Sequence, residues 1–236
     1  MGKIKQLNKE KMGVNQKKEI INHLIKTNNF TKYLEIGVYI PSDNFDLINV
    51  TTKHSVDPCV EFETDNVDYK YTSDDFFSYL ENDKLELPSD YKWDVIFIDG
   101  LHISTQVDRD FNNAFNHLSE NGFILIHDAN PPTLWHARED YLVDGVQAPW
   151  NGTVWKAVYK LNALRSDLVV HTVGGEGAEG YIKGVGDCDW GLSVIHRGEQ
   201  ECCEFNNPFY EYRKFEENRK SHLNTINIEQ FYQMYP

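Results

Sequence analysis

Five short apolar segments in the first 130 residues each hand over to polar residues suited to chemistry. Residues 32–37 end in Glu35, Ile36 and Gly37, and residues 54–58 end in Asp57 and a proline. The weaker segment 68–72 runs into Ser73 and Asp74. Residues 93–100 end in Asp99, with His102 one turn later, and residues 123–128 end in His127 and Asp128, with Asn130 just beyond. Taken singly, each has a structural reading: a glycine makes a turn, an aspartate caps a helix, a histidine bonds backbone. Jointly they describe a site. Gly37 permits close approach of a ligand to the backbone. Asp57, an acid about 20 residues on from the glycine turn at the end of a second strand, suits both hydroxyls of a ribose. The loop 38–42 has no further glycine and no lysine to cradle phosphate, so a nucleoside-bearing cofactor without phosphate is expected. His102, with an ordinary pKa near neutrality, is the first candidate for a general base, and His127 the second.

These residues need a scaffold that gathers strand ends. The segments 93–100 and 123–128 are near-continuous apolar runs, as expected of strands covered on both faces. Between them Val107, Phe111, Ala114, Phe115 and Leu118 mark one helix face, with Ser104 as its expected cap and Asn121-Gly122 as its end. Ser73 is the expected cap of a helix carrying Phe76, Phe77 and Leu80. Strand, helix, strand at this spacing is a βαβ unit, and the series predicts a doubly wound, mostly parallel α/β sheet. In such sheets ligands bind outside the carboxyl ends of the strands. A helix over Val154, Trp155, Val158 and Leu161 and strands at 168–172 and 192–196 follow, the last two flanking a glycine-rich excursion from Gly174 to Gly191. The expected organisation is an N-terminal helical extension over residues 1–29, a cofactor-binding domain over 30–200, and a charged, aromatic tail over 201–236 with one helix around 215–223.

The ordered segments Tyr33-Leu34-Glu35-Ile36-Gly37-Val38, Val56-Asp57-Pro58, Val95-Ile96-Phe97-Ile98-Asp99-Gly100-Leu101-His102 and Gly122-Phe123-Ile124-Leu125-Ile126-His127-Asp128 resemble the motifs of class I S-adenosylmethionine-dependent methyltransferases. The likeness is greatest to the small-molecule and sugar O-methyltransferase branch, of the macrocin O-methyltransferase kind. Trp150-Asn151-Gly152-Thr153-Val154-Trp155-Lys156 resembles a helix start in that branch. The resemblance implies a Rossmann-like, seven-stranded sheet whose last strand is antiparallel, S-adenosyl-L-methionine as cofactor, and O-methylation of a hydroxylated small molecule or sugar. It implies that Glu35, Ile36 and Gly37 hold the methionine end, Asp57 the ribose, Ser73 and Asp74 the adenine, and that Asp99 stands by the transfer centre. In metal-dependent relatives such a carboxylate binds magnesium, which makes Asp99 and Asp128 the candidate Mg2+ ligands, although Ala129 fills the place of a further ligand. The connection from 129 to 151, with Asn130, Trp135, His136, Arg138 and Glu139, is the expected acceptor lid.

The loop after Gly37 departs from that pattern, with Tyr39 and Pro41 at places where relatives carry glycine. This motivates one alternative, a non-catalytic binding protein on the same fold. An NAD-dependent oxidoreductase is the other, disfavoured because no G-x-G-x-x-G run is present. Composition excludes more than it selects. Across 236 residues, 23 Lys and Arg face 37 Asp and Glu, a formal net charge of −14, which argues against a nucleic-acid backbone as partner. No apolar run is long enough for a membrane span and no secretory h-region stands at the start. Cys59, Cys188, Cys202 and Cys203 form no CxxC pair and read as free thiols of a cytoplasmic protein, for which a homo-oligomer is a compatible state.

Overall fold

The computed structural model describes residues 16–60, 66–143, 146–147, 149–174 and 190–236. Most of the glycine-rich excursion, Cys188 and the first fifteen residues lie outside them. The chain forms α1 (Gln16–Asn28), β1 (Lys32–Ile36), β2 (Thr52–Val56), α2 (Ser73–Glu81), β3 (Trp93–Ile98), α3 (Ser104–Asn116) and β4 (Leu118–Ile126). A small ribbon, β5 (Leu142–Val143) and β6 (Val146–Gln147), precedes α4 (Val154–Leu164), β7 (Leu168–Val173), β8 (Leu192–Arg197), α5 (Tyr212–Leu223), β9 (Thr225–Ile226) and α6 (Ile228–Met234). Seven strands make one sheet in the order β2-β1-β3-β4-β8-β7-β9. Within it β8 runs antiparallel to both neighbours, and the other pairings are parallel.

Alternation along each central strand explains the two helical layers. Leu34, Ile36, Ile96, Ile98, Ile124 and Ile126 face Phe76, Phe77, Phe111, Trp155 and Phe215. The intervening Tyr33, Val95, Phe97 and Leu125 face Ile20, Ile21 and Leu24 of α1 and Phe231 of α6. Both faces of these strands are thereby dry, which is why their sequences are almost uninterrupted apolar runs. Among the described residues no helix is long and apolar enough to cross a membrane. Cys59, Cys202 and Cys203 carry no disulfide.

Four local expectations are corrected. Residues 68–72 form a single bridge, Val56 to Tyr69, not a strand, because the Asp68 carboxylate takes the Ser55 N–H at 2.8 Å and the Ser55 hydroxyl at 2.7 Å. The seventh strand is instead β9, in the tail, which pairs with β7 at the far edge. The cap of α2 is Thr72, whose Oγ1 accepts from Asp75 N at 3.1 Å, while Ser73 is left to bond elsewhere. Nor does Ser104 cap α3: its N–H donates to Thr153 Oγ1 at 2.8 Å. That helix ends at Asn116, since residues 118–122 already belong to β4, and Gly122 lies where a Cβ would meet Asp94 O at 2.7 Å.

Candidate active site

Parallel pairing of β1 with β2 and β3 brings three strand ends together, and the first turn after them is forced to be glycine. Asp99 N donates to Ile36 O at 2.8 Å and Gly37 N to Val56 O at 2.9 Å. Gly37 has φ +87°, and a Cβ there would sit 2.2 Å from Asp99 O. Both the left-handed conformation and the close approach exclude a side chain. Over these ends opens a cavity of about 900 Å³, lined by Glu35, Ile36, Gly37, Asp57, Ser73 and Asp74 on one side and by Asp99, His102, His127 and Asp128 on the other. Its volume lies in the range of small-ligand and cofactor sites.

On the first side the polar groups are largely pre-ordered. Glu35 is buried, and its Oε2 accepts from the Tyr33 hydroxyl at 2.6 Å and from Asn44 Nδ2 at 2.8 Å. Burial pushes its carboxyl up to about 7 despite those bonds. Asn44 Oδ1 is buried and has no hydrogen-bond partner among the described residues. Asp57 ties the turn down, accepting Val38 N on Oδ2 at 2.8 Å and Cys59 N on Oδ1 at 2.6 Å. One acceptor site remains on each oxygen, which suits two adjacent hydroxyls. Ser73 donates to Asp110 Oδ1 at 2.5 Å, and Gln106 Nε2 bonds Asp110 at 2.9 Å and Asp74 at 3.2 Å. The α3 residues Gln106 and Asp110, one turn apart on the face toward α2, thus organise Ser73 and Asp74.

The second side is an ionic cluster. His102 Nε2 lies 3.2 Å from Asp128 Oδ2 and 3.5 Å from Asp99 Oδ1. His127 Nδ1 lies 3.1 Å from Asp99 Oδ1 and 3.4 Å from Asp128 Oδ2. Lys17, from α1, reaches Asp99 Oδ2 at 3.1 Å. Burial favours neutral imidazoles, but the Asp128 and Asp99 carboxylates override it, raising His102 and taking His127 to about 10. Burial likewise opposes the charge on Asp99, yet Lys17 and His127 hold it well below the usual carboxylate range. His127 is therefore a fixed cation at neutral pH, and His102 is the imidazole nearer to titrating.

The segment 150–153 positions this cluster. Trp150 stacks on His102 with centroids 5.0 Å apart, and its carbonyl lies 3.4 Å from His102 Nδ1. Asn151 Nδ2 donates to Asp128 Oδ1 at 3.2 Å, steadying a residue with φ +60°, unusual for a side-chain-bearing residue. Gly152, φ +64°, approaches so closely that a Cβ would be 2.0 Å from His102 O. Thr153 N donates to the same carbonyl at 2.8 Å.

The five residues expected to face an acceptor do not line the cavity. Asn130 is buried and accepts from Arg219 of α5. Trp135 lies under the Arg138 guanidinium, 4.6 Å from its ring centre, and Arg138 bonds the carbonyls of Trp135, Pro149 and Tyr141. His136 bonds Thr133 Oγ1 at 2.8 Å, and its carbonyl takes Asn151 N and Gly152 N. Glu139 pairs with Lys156 at 3.5 Å. Their polar groups are spent on holding the connection together, and Tyr141, Pro149, Trp150 and Trp190 form the wall there. The sequence reading missed Lys17, Asn44 and Asn151. Lysine in a Lys/Asn-rich stretch reads as solvated, and lone asparagines in loops read as turns. Only the helical repeat of Ile20, Ile21, Leu24 and Ile25, which docks α1 on the sheet, hinted that Lys17 is carried inward.

The cavity also offers a donor set for a divalent ion. One oxygen each of Asp99 and Asp128 and one nitrogen of His102 lie within 4.8 Å of one another. Two carboxylates and one imidazole on the cavity wall fit a six-coordinate ion that keeps positions for other ligands.

Residues 43–129 match the family model of a methyltransferase domain. No curated protein matches the chain. Among solved structures, an O-methyltransferase from Bacillus cereus in complex with SAH is 14% identical, with 82% of this chain and 86% of that chain covered and a TM-score of 0.51. TomG from Streptomyces achromogenes, an O-methyltransferase involved in tomaymycin synthesis in complex with SAM, is 13% identical over 82% of this chain and 85% of that one, with a TM-score of 0.46. The first likeness shows the fold: a Rossmann-like methyltransferase sheet.

Proposed function

We propose that the chain is an S-adenosylmethionine-dependent methyltransferase that methylates a hydroxyl of a small molecule. The observation that carries this reading is the placement of His102 and Asp99 on the same cavity as Glu35, Gly37 and Asp57, all at the carboxyl ends of β1, β2 and β3. The cavity fits the cofactor: Asp57 has acceptor capacity for a ribose diol, Ser73 and Asp74 flank it, and Asn44 Oδ1 offers an unused buried acceptor. When bound, the cofactor supplies an electrophilic methyl group on a sulfonium.

The chain's own residues orient the acceptor and take its proton. Deprotonated His102 Nε2 accepts the hydroxyl proton, and Asp128 and Asp99, on either side, stabilise the imidazolium that results. The Trp150 carbonyl orients Nδ1–H so that Nε2 is the basic atom. His127 and Lys17 keep Asp99 ionised and offset the surplus negative charge of the site. Alignment of the hydroxyl in a walled cavity contributes the larger part of the acceleration.

The Asp99, His102 and Asp128 donor set favours a second reading, in which these three would hold a divalent ion that would supply Lewis-acid assistance to the hydroxyl. The acceptor is small and enters beside Tyr141, Trp150 and Trp190, whose aromatic faces suit a sugar or a ring-bearing alcohol.

Separating cofactor residues from reacting ones tests the assignment. In SAH titrations Asp57→Ala should weaken binding roughly ten- to hundredfold, the range for bonds to a charged group. His102→Ala should leave it within a few-fold of wild type. Equal losses in both variants would contradict the division of roles.

A further inference from the structure

The cavity wall is acidic, with Glu35, Asp57, Asp99 and Asp128 among its carboxylates, and Lys17 is the one lysine or arginine among the described residues that line it. Lys17 stands in the first turn of α1, a helix seated by the buried Ile20, Ile21, Leu24 and Ile25. Its ammonium lies 3.1 Å from Asp99 Oδ2 and 5.5 Å from the centre of the Phe97 ring. Burial opposes that charge, but Asp99, Glu35 and Asp128 all act on it and keep it protonated.

Three positions on the turn after Gly37 offer no free amide to a ligand carboxylate. Val38 N–H is spent on Asp57, Asp43 N–H on Ile40 O at 2.9 Å, and Pro41 has no N–H. The chain there forms two single turns of 3-10 helix, Pro41–Asp43 and Phe45–Leu47, and not an α-helix whose aligned N-terminal amides commonly receive anions. For a ligand ammonium the site has acceptors to spare. Asn44 is 3% exposed, donates to Glu35 and Tyr33 through Nδ2, and leaves Oδ1 buried beside the Glu35 carboxylate without a partner among the described residues. A buried acceptor with nothing to accept is costly unless a ligand satisfies it.

We propose that Lys17 and Asn44 complete, with Glu35, a clamp for the α-amino acid end of the ligand: the carboxylate bonds the Lys17 ammonium, and the ammonium bonds Glu35 and Asn44 Oδ1. The inference rests on the adenosyl-cofactor reading above, since the methionine end of that cofactor carries both groups. It makes α1 part of the binding site and assigns the carboxylate to a side chain. A lysine that served Asp99 alone would affect every adenosyl ligand alike. A lysine that binds the carboxylate affects only ligands that have one.

The experiment is calorimetric titration of the full chain with three probes: S-adenosylmethionine, its decarboxylated form, and methylthioadenosine, which lacks the whole amino acid end. Wild type should prefer S-adenosylmethionine to the decarboxylated form by tenfold or more. Lys17→Met should lose roughly ten- to hundredfold for S-adenosylmethionine, the range for a charged hydrogen bond. It should bind the decarboxylated form as well as wild type or better, and methylthioadenosine unchanged, which also verifies its fold. Lys17→Arg should recover most of the loss. Equal weakening for all three probes, or none for any, overturns the clamp while leaving the cofactor reading intact. Failure of wild type to bind any probe overturns both.

Discussion

His102 Nε2 and Asp128 Oδ2 stand 3.2 Å apart although 25 residues separate them in sequence, because β3 and β4 are adjacent parallel strands that end at the same level. That contact fixes the protonation of the candidate base. Asp128 and Asp99 hold the His102 proton more tightly than water does, so the free base accumulates only above the ordinary histidine pKa.

An NMR titration of the His102 ring should therefore show a midpoint above 6.5, and Asp128→Asn should move it downward. A midpoint at or below 6.5 in the wild type would remove the ionic cluster as the factor that tunes this base. Methyl transfer, once an acceptor is in hand, should rise with pH through the same midpoint.

Glu35 sets a pH dependence of opposite origin. Its carboxyl titrates at about 7 in the fold and near the ordinary glutamate value in the unfolded chain. The native state thus binds more protons between roughly pH 4.5 and 7, and ligand-free stability falls as pH rises across that window. Glu35→Gln removes this loss. Its Tm should exceed that of wild type by several degrees at pH 8 and match it near pH 4.5. A variant no more stable at pH 8 would show that Glu35 is not held in an unfavourable charged state.

Gly152→Ala should be among the most damaging single-methyl changes in the chain. The new Cβ falls 2.0 Å from His102 O in a left-handed backbone conformation, so the loop must move away from His102. We expect a loss of about 2 kcal/mol or more in chemical denaturation, together with a changed His102 ring environment. A stability within about 0.5 kcal/mol of wild type would contradict the close packing described.

Metal binding can be read without turnover. The histidine nitrogen in the Asp99, His102 and Asp128 set favours Mn2+ over Mg2+. Electron paramagnetic resonance of added Mn2+ should show loss of the free-ion signal with wild type and its return with Asp128→Asn. An unaltered signal with wild type removes the metal-assisted reading and leaves the proton transfer to His102 alone.

The strand ends were legible in the sequence because buried parallel strands announce themselves as apolar runs, and the residues closing those runs must lie at the sheet edge where ligands bind. Glu35, Asp57, Asp99, His102, His127 and Asp128 all line the cavity for that reason. What connects them was not legible. Trp150, Asn151 and Gly152 reach His102 and Asp128 from a connection with no periodicity, and their roles depend on where that connection folds back. The acceptor-facing expectation for Trp135, His136, Arg138 and Glu139 rested on composition, which does not tell whether a polar side chain bonds a ligand or its own loop. Residues 68–72 read as a weak third strand, but side-chain bonds from Asp68 replace a ladder there, while Thr225–Ile226 is too short to give a strand signal.

The central claim is that the cavity over β1, β2 and β3 binds an adenosyl cofactor. Calorimetric titration of the purified protein with S-adenosylhomocysteine at pH 7.5 tests it most directly. The account predicts saturable one-to-one binding, with an upward thermal shift that needs roughly ten- to hundredfold more ligand in Asp57→Ala. Absence of heat and of any thermal shift at millimolar ligand would contradict it.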